Sequence, residues 1–403
     1  MAGPSYVIER TSTLPASVDE VFAWHARPGA LERLTPPWER PVALPRIHHL
    51  FEPVGPATSC YTDRIEPGMR LSRSRAERML AYRHATLRED LAAHARFRDR
   101  PALRLAVTGA SGLLGSALAP FLTTGGHQVI PVSRRPASGD AIHWNPPSGA
   151  TDAAGFEGLD AVVHLAGENV GARWTRERKR RIRESRIAGT RRLSEALARL
   201  KRPPSVLVAA SAMGIYGDRG DEILTEERVP TGPPPDFLVE VGREWEAATE
   251  PAREAGIRVV SLRFGIVLTP SGGALGRMLP AFRLGVGGPL GNGRQWVSWI
   301  SIDDAIGVMH HALLTAALSG PVNAVAPEPV TSRDFAATLG RVLRRPALLP
   351  APAAALRLLF GEMADTALLG SQRLSAARLL TSGYPFRHPR LEVAMRHVLG
   401  RSL

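Results

Sequence analysis

Between residues 101 and about 330, short and nearly continuous apolar runs alternate with stretches of helical period. The runs are LRLAVTG (103–109), HQVIPVSR (127–134), LDAVVHLAG (159–167), SVLVAAS (205–211) and IRVVSLRFG (257–265). Strands without in–out alternation belong to a parallel sheet covered by helices on both faces. Each run ends at small or polar residues, the edge where an open α/β sheet collects its ligand. The pattern therefore predicts an α/β fold built on a doubly wound parallel sheet. The flanks read differently. Residues 1–100 open with an extended run, a Pro turn and a helix that Ser17 or Asp19 can cap by accepting from a first-turn N–H. Residues 331–403 read as mostly helical. Three regions are expected: a small α+β module (1–100), a ligand-binding α/β domain (101–330) and a helical substrate-side region (331–403).

Composition leaves this picture intact. The 403 residues are 44% hydrophobic and 22% charged, and no apolar run approaches the length of a membrane span. The opening MAGPSYVIERTSTLPASV lacks the basic, apolar and small-residue succession of a secretory signal. Cys60, the single cysteine, has no internal partner for a disulfide, so a cytoplasmic location is expected. The net charge of +13 comes almost wholly from arginine, Lys179 and Lys201 being the two lysines. Scattered charge without a helix-turn-helix, zinc-finger or RNP pattern gives no reason to expect a nucleic-acid partner. Clustered Cys/His spacing, G-x-S-x-G and a P-loop are all missing, so neither metal catalysis nor acyl transfer is expected.

The chemistry-bearing motif is VTGASGLLGSAL, which joins the first apolar run to a helical pattern. In a Rossmann-type reading Gly109 makes the tight turn, Gly112 lets the backbone approach a pyrophosphate and Gly115 lets helix and strand pack closely, with the helix N-terminus facing the anion. The second run ends in VSRRP. Between His127 and Gly139 there is no Asp or Glu to hold a ribose 2′-hydroxyl, whereas Ser133, Arg134 and Arg135 offer donors and positive charge. That favours the 2′-phosphate of NADP(H), against the plainer reading of two exposed loop arginines.

At this point the chain resembles the extended short-chain dehydrogenase/reductase superfamily, and within it the epimerase-like, sugar nucleotide epimerase-related group. The blocks that carry the likeness are VTGASGLLGSAL, VVHLAGENVGARWTRERKRRIRESRIAGTRRL, ASAMGIYGD, LRFGIVLTPSGGALGRMLPAFRLGVGGPLGNGRQWVSWISIDDAIG and GEMADTALLGSQRL, the last in a DUF1731-like region. Residues 1 to about 98 resemble a shortened polyketide cyclase/START-like (SRPBCC, helix-grip) module through VDEVFAWHARPGALERLTPPW and AYRHATLREDLAAHARF; the short segment between these blocks puts a ligand cavity in doubt. The resemblance implies cofactor contacts from Gly109, Ser111, Gly112, Leu113, Leu114, Gly115, Ser133, Arg134, Arg135, Leu165, Ala166, Gly167, Ser211 and Arg263. It also implies a small-molecule substrate and the homodimer common among extended members.

The superfamily's acid is a Tyr with Lys four residues on. Tyr6, Tyr61, Tyr82, Tyr216 and Tyr384 are followed at that distance by Arg10, Ile65, Thr86, Gly220 and His388, and the expected position carries Phe237 with Val241. The catalytic candidates are Ser211, which matches the serine after the fourth strand with one extra residue before IYG, together with Tyr216 and Glu168. Asn169, Trp174, Arg294, Gln295, Trp296 and Trp299 are candidates for substrate contact because aromatic walls with a few polar donors suit a polar organic molecule. A structural hairpin packed by its tryptophans is the alternative for the last four. Asp303 and Asp304 read as a helix cap, and the basic stretch RWTRERKRRIRESRIAGTRR as a solvated face. Two functions stay open: an NADP-dependent oxidoreductase or epimerase-like enzyme, and a non-catalytic NADP(H)-binding protein that engages a partner.

Overall fold

In the computed structural model the described residues are 7–39, 45–66, 72–135, 141–145, 150–234 and 236–401; Tyr6 and Gly139 lie outside them. The chain divides into two compact units, one of Met1–Ala102 with Ala117–Gln128 and Arg396–Leu403, the other of Leu103–Ser116 with Val129–Met395. Residues 331–395, read from the sequence as a separate region, lie inside the second unit.

The first unit is a three-stranded antiparallel sheet in the order Ile8–Leu14, Thr58–Ile65, Ile47–Gly55, with the 23-residue helix Arg73–Ala95. Its first helix, Val18–Ala26, starts at Ser17 rather than Asp19. Ser17 Oγ accepts from Glu20 N at 3.3 Å while Glu20 Oε2 accepts from Ser17 N at 3.0 Å, a reciprocal capping box. The central strand buries Ser59, Tyr61, Asp63 and Ile65 on one face. That face carries charge. Asp63 accepts from Tyr61 Oη at 2.6 Å, His49 Nδ1 at 2.6 Å and Arg83 Nε at 2.8 Å, and Arg33 holds Asp90 through two bonds of 2.8 Å. Buried carboxylates in such number require this pairing. Apolar packing of Leu14, Val21, Trp24, Leu87 and Leu91 completes the core.

The second unit is built on an eight-stranded sheet. Its order is Gly320–Ala324, Arg258–Phe264, Val206–Ala212, Ala161–His164, Arg104–Thr108, Gln128–Ser133, Ile142–Asn145 and the antiparallel edge Ala150–Thr151. Seven strands are parallel, and the order reverses beside Arg104–Thr108, making a Rossmann-type crevice at the strands' carboxyl ends. Ala161, Val162, Val163, Val206, Leu207 and Val208 are buried, as continuous apolar strands between two helical layers require. The C-terminal stretch is helical: Ser332–Leu343, Ala353–Phe360, Ala377–Thr381 and Leu391–Val398. Among the described residues no helix is long and apolar enough to cross a membrane.

The helix Ile302–Leu314 is capped by Ser301, whose Oγ accepts from Asp304 N at 3.0 Å, and not by the aspartates. Asp304 is buried, accepting from Tyr384 Oη, Arg387 N and His388 N at 3.0, 2.8 and 3.0 Å. Its job is to tie the C-terminal segment to this helix.

Candidate functional site

The first strand ends in a turn that only glycines can make. Gly109 has φ +69°, and a Cβ there would approach the Leu165 carbonyl carbon to 2.9 Å. Gly112 N donates to Gly109 O at 2.9 Å, and Ser116 N to Gly112 O at 2.9 Å, which starts the 10-residue helix Gly115–Thr124. The tightest position is Gly115, where a Cβ would sit 2.3 Å from Gly109 O. The sequence assigned Gly115 to helix–strand packing; its crowding neighbour is instead the carbonyl of the turn itself. Ser111 and Gly112 stand exposed, while Leu113 and Leu114 are half-buried, Leu113 against Gly272 and Gly273. This is bare backbone at a helix N-terminus in the crevice of the sheet, a cradle that any Cβ would fill and that fits a diphosphate. Two strands away from the sheet's edge, Arg134 and Arg135 are exposed beyond Gln128–Ser133, with Ser133 Oγ accepting from Arg135 N at 3.1 Å.

A buried polar chain underlies the turn. Thr108 Oγ1 accepts from Leu165 N and Ala166 N at 3.1 and 3.2 Å, so it donates its own proton to His164 Nδ1 at 2.7 Å. That fixes the proton of His164 on Nε2, which faces Thr190 Oγ1 at 3.0 Å, and Thr190 also accepts from Trp245 Nε1 at 3.0 Å. Burial pushes the His164 pKa down to about 4, so the ring is neutral at neutral pH. Leu165 and Ala166 are thereby fixed beside Gly109.

Beyond them Glu168 is half-buried, with its carboxylate 3.8 Å from Arg178 and 4.0 Å from Arg181. Asn169 is exposed, and its Oδ1 accepts from Gly171 N at 2.8 Å. Trp174 turns inward. Its Nε1 donates to Val170 O at 2.9 Å and its ring packs with Phe237, Val241, Ile182 and Met363. The position expected to hold Tyr-x-x-x-Lys is therefore apolar core, with Phe237 edge-on to Trp174 at 5.3 Å and Lys179 over the Phe237 ring at 4.9 Å.

Ser211, Tyr216 and Arg263 come together, but facing one another. Ser211 Oγ donates to Glu246 Oε1 at 2.7 Å, and Arg263 grips both oxygens of Glu246 at 2.8 Å each. Arg263 Nη1 also donates to Tyr216 Oη at 2.8 Å and Glu226 O at 2.7 Å, and Tyr216 donates to Asn323 Oδ1 at 2.7 Å. Burial raises the Tyr216 pKa to about 12. Arg263, expected at the cofactor, is buried with its guanidinium consumed by these partners, because an unpaired charge there would be prohibitive. Tyr216 is fully buried, its hydroxyl satisfied by Arg263 and Asn323.

The segment read as a substrate wall is also largely inward. Gln295 Nε2 donates to Leu290 O and Leu368 O at 3.1 and 3.3 Å, and Trp299 Nε1 to Glu328 O at 2.9 Å; both residues are buried. Trp296 is half-buried, bonded to Asp221 Oδ1 at 2.7 Å and covered by Arg373 at 4.2 Å, and Arg294 is exposed. Trp296–Val297 pairs antiparallel with Val330–Thr331, beyond the helix Ile302–Leu314 and the strand Gly320–Ala324, so the segment is not the hairpin of the alternative reading. The sequence reading missed Thr108, His164, Glu246 and Arg186. The strand-end position of the first two was the one signal available.

A parallel sheet whose first crossover carries this glycine turn defines a dinucleotide-binding protein of Rossmann type. Residues 105–324 match the NAD dependent epimerase/dehydratase family, and the chain belongs to it; residues 351–398 match a domain of unknown function, DUF1731. An epimerase family protein of Mycobacterium bovis is 41% identical over 300 residues, covering 74% of this chain and 98% of that protein. Epimerase family protein SDR39U1 of Homo sapiens is 36% identical over 302 residues, covering 74% and 100%. Among solved structures, the nucleoside-diphosphate sugar epimerase from Corynebacterium glutamicum superposes with a TM-score of 0.81 at 33% identity, over 98% of this chain and 90% of that one. Human SDR39U1 with NADPH superposes with a TM-score of 0.68 at 34% identity, over 73% and 99%.

Proposed function

We propose that the protein is an NADP(H)-dependent oxidoreductase or epimerase-like enzyme acting on a small polar molecule without the superfamily's Tyr-x-x-x-Lys pair. The observation that carries this reading is the exposed Ser111–Gly112 backbone in a turn closed to any side chain at Gly109 and Gly115. The NADPH-bound human relative supports the choice of cofactor. Ser111, Gly112 and the N-terminus of Gly115–Thr124 would hold the diphosphate, and Arg134 and Arg135 the 2′-phosphate. Hydride transfer is the chemistry such a cofactor supplies.

In this reading Tyr216 and Arg263 are struts that hold the turn Met213–Tyr216, which follows the strand Val206–Ala212, in shape. Ser211 is oriented by Glu246, with its hydroxyl proton spent on that carboxylate and its lone pairs left to accept from a substrate hydroxyl. Glu168 and Asn169 are the polar side chains at the rim, and Trp296 with Arg294 the remaining substrate-side candidates. Lacking a positioned acid costs roughly 10²- to 10⁴-fold in rate, so turnover is expected to be slow.

The test is a calorimetric titration with NADPH and NADH. NADPH is expected to bind more tightly, and Arg134→Ala/Arg135→Ala to lose that preference by roughly ten- to a hundredfold. Gly115→Ala is expected to weaken both coenzymes by a similar, roughly tenfold or greater factor, because the new methyl group must displace Gly109 O. Absence of binding by either coenzyme would end the proposal. Apolar packing at Phe237 and Val241 favours a second reading, a protein that holds NADPH without using it; stereospecific loss of deuterium from [4-²H]NADPH in the presence of a carbonyl panel would exclude it.

A further inference from the structure

Two helices, Arg176–Arg183 and Gly189–Ala198, are joined by a single π turn at Glu184–Ala188. Such turns carry one residue too many for an α-helix and recur where a side chain must be re-aimed. Here the turn directs Ser185 and Arg186 to the loop that leaves the sheet after His164. Ser185 Oγ accepts from Glu168 N at 2.9 Å, and Arg186 Nη1 donates to Glu168 O at 2.8 Å. The guanidinium lies 4.9 Å from the centroid of the Trp245 ring, and a Cβ on Gly167 would stand 3.4 Å from its central carbon. Arg186 is thus a half-buried cation stacked on an indole and roofed by a glycine that leaves it room.

What distinguishes it is half-burial without an ion pair: Arg173, Arg176, Arg191 and Arg192 likewise have none among the described residues, but they are exposed. Arg180 is paired with Glu177 and Glu184, Arg183 with Glu240 and Glu244, and Lys179 with Glu362. Arg186 has no ion-pair partner among the described residues. Burial lowers its pKa to about 10, so it stays charged at neutral pH. Of its five N–H donors one is used by Glu168 O, leaving a fork suited to donating two parallel bonds to an oxyanion. The surroundings add charge of the same sign: Arg178 Nη1 donates to Asn169 O at 3.0 Å, and Arg277 Nη1 would lie 2.6 Å from a Cβ on Gly171. Against these stands the carboxylate of Glu168. The order along the loop fixes the location, since Leu165 and Ala166 abut the Gly109 turn while Gly167 and Glu168, the next residues outward, abut Arg186.

We propose that Arg186 anchors a carboxylate or phosphate group of the substrate, one step outward from the dinucleotide turn, with Arg178 and Arg277 drawing the anion in. The inference deepens the enzyme reading and rests on it for the word substrate; the anion site itself does not. Inorganic phosphate and malonate are titrated calorimetrically into the full-length protein saturated with NADP⁺. Both are expected to bind saturably, and Arg186→Gln to weaken both by roughly tenfold or more while NADPH affinity stays within about threefold. Arg186→Lys, which keeps the charge but not the fork, should fall between, and its melting curve shows whether the stack on Trp245 survives. Absence of anion binding by the wild type, or unchanged anion affinity in Arg186→Gln, overturns the proposal. A loss of NADPH affinity in Arg186→Gln equal to the loss for anions overturns it as well, by giving the guanidinium to the cofactor. Should NADP⁺ itself fail to bind, the enzyme reading falls separately, and the same titrations on the cofactor-free protein still decide for or against Arg186.

Discussion

Arg263→Leu is expected to lower the thermal midpoint of the second unit by roughly 5–15 °C. The guanidinium makes two bonds of 2.8 Å to Glu246 and one each to Tyr216 and Glu226 O. Its loss leaves a carboxylate, a phenol and a carbonyl short of a donor in a largely buried place. Stranding one half of a buried pair costs about 3–5 kcal/mol, and each kcal/mol moves the midpoint of a unit this large by roughly 2–4 °C. Glu246 keeps a 17% exposed side chain, which favours the lower half of that energy range. Removing both charges in Arg263→Leu/Glu246→Leu should restore much of the loss, because no ion is then stranded. Differential scanning calorimetry of the two variants decides the matter: a single mutant melting within a degree or two of the wild type would mean the network does not carry this energy.

The second large effect is acid sensitivity setting in above the range of ordinary carboxylates. Burial holds the pKa values of His25, His84 and His164 at about 4, against 6.5 for the free side chain. In the unfolded chain these rings take up protons once the pH falls below about 6.5, while in the folded chain they do so only near 4. The unfolded state therefore binds more protons in that window, and stability is full above about pH 6.5 and drains away as the pH falls to 4. A fully buried ring shifted this far contributes ~3 kcal/mol, a sizeable share of a total of about 5–15 kcal/mol. Asp63 acts elsewhere. Burial opposes its charged form, yet the hydrogen bond from His49 and the charge of Arg83 outweigh burial and hold its pKa well below the usual carboxylate range. Its contribution is present above its unfolded pKa and is lost only at lower pH than the histidine window. Urea unfolding at a series of pH values should show the midpoint dropping from pH 6.5 downward, more steeply for the first unit, which holds His25, His84 and His127, whose pKa burial also lowers, than for the second, which holds His164. A midpoint flat from pH 7 to 4.5 would refute this account of the buried rings.

Much of the α/β unit was legible because its five central strands are apolar on both faces and bounded by small residues, a pattern with few alternative readings. The strands Ile142–Asn145 and Gly320–Ala324 were not, being short and carrying Asn, Gly and Pro, whose strand character comes from a neighbour already in place. The glycine turn was legible because a forbidden Cβ leaves a mark in sequence. Direction left no such mark. Trp174, Gln295 and Trp299 look the same whether they face a ligand or the interior, and what turns them inward are carbonyls at Val170, Leu290, Leu368 and Glu328, the last two far away along the chain. Arg186 was hidden by its neighbours: in a stretch crowded with arginines, only the π turn and its half-buried place over Trp245 set it apart.

The packing around Phe237 and Val241 bears on protein engineering. Retrofitting a tyrosine and a lysine at these sites would thrust an ammonium among Ile182, Met363 and the Trp174 indole, where desolvation strips its proton and leaves an amine unable to acidify any phenol. A design that wanted conventional reductase chemistry from this scaffold would first have to hollow out and re-hydrate that corner, which is a redesign of a helix interface and not a two-residue edit.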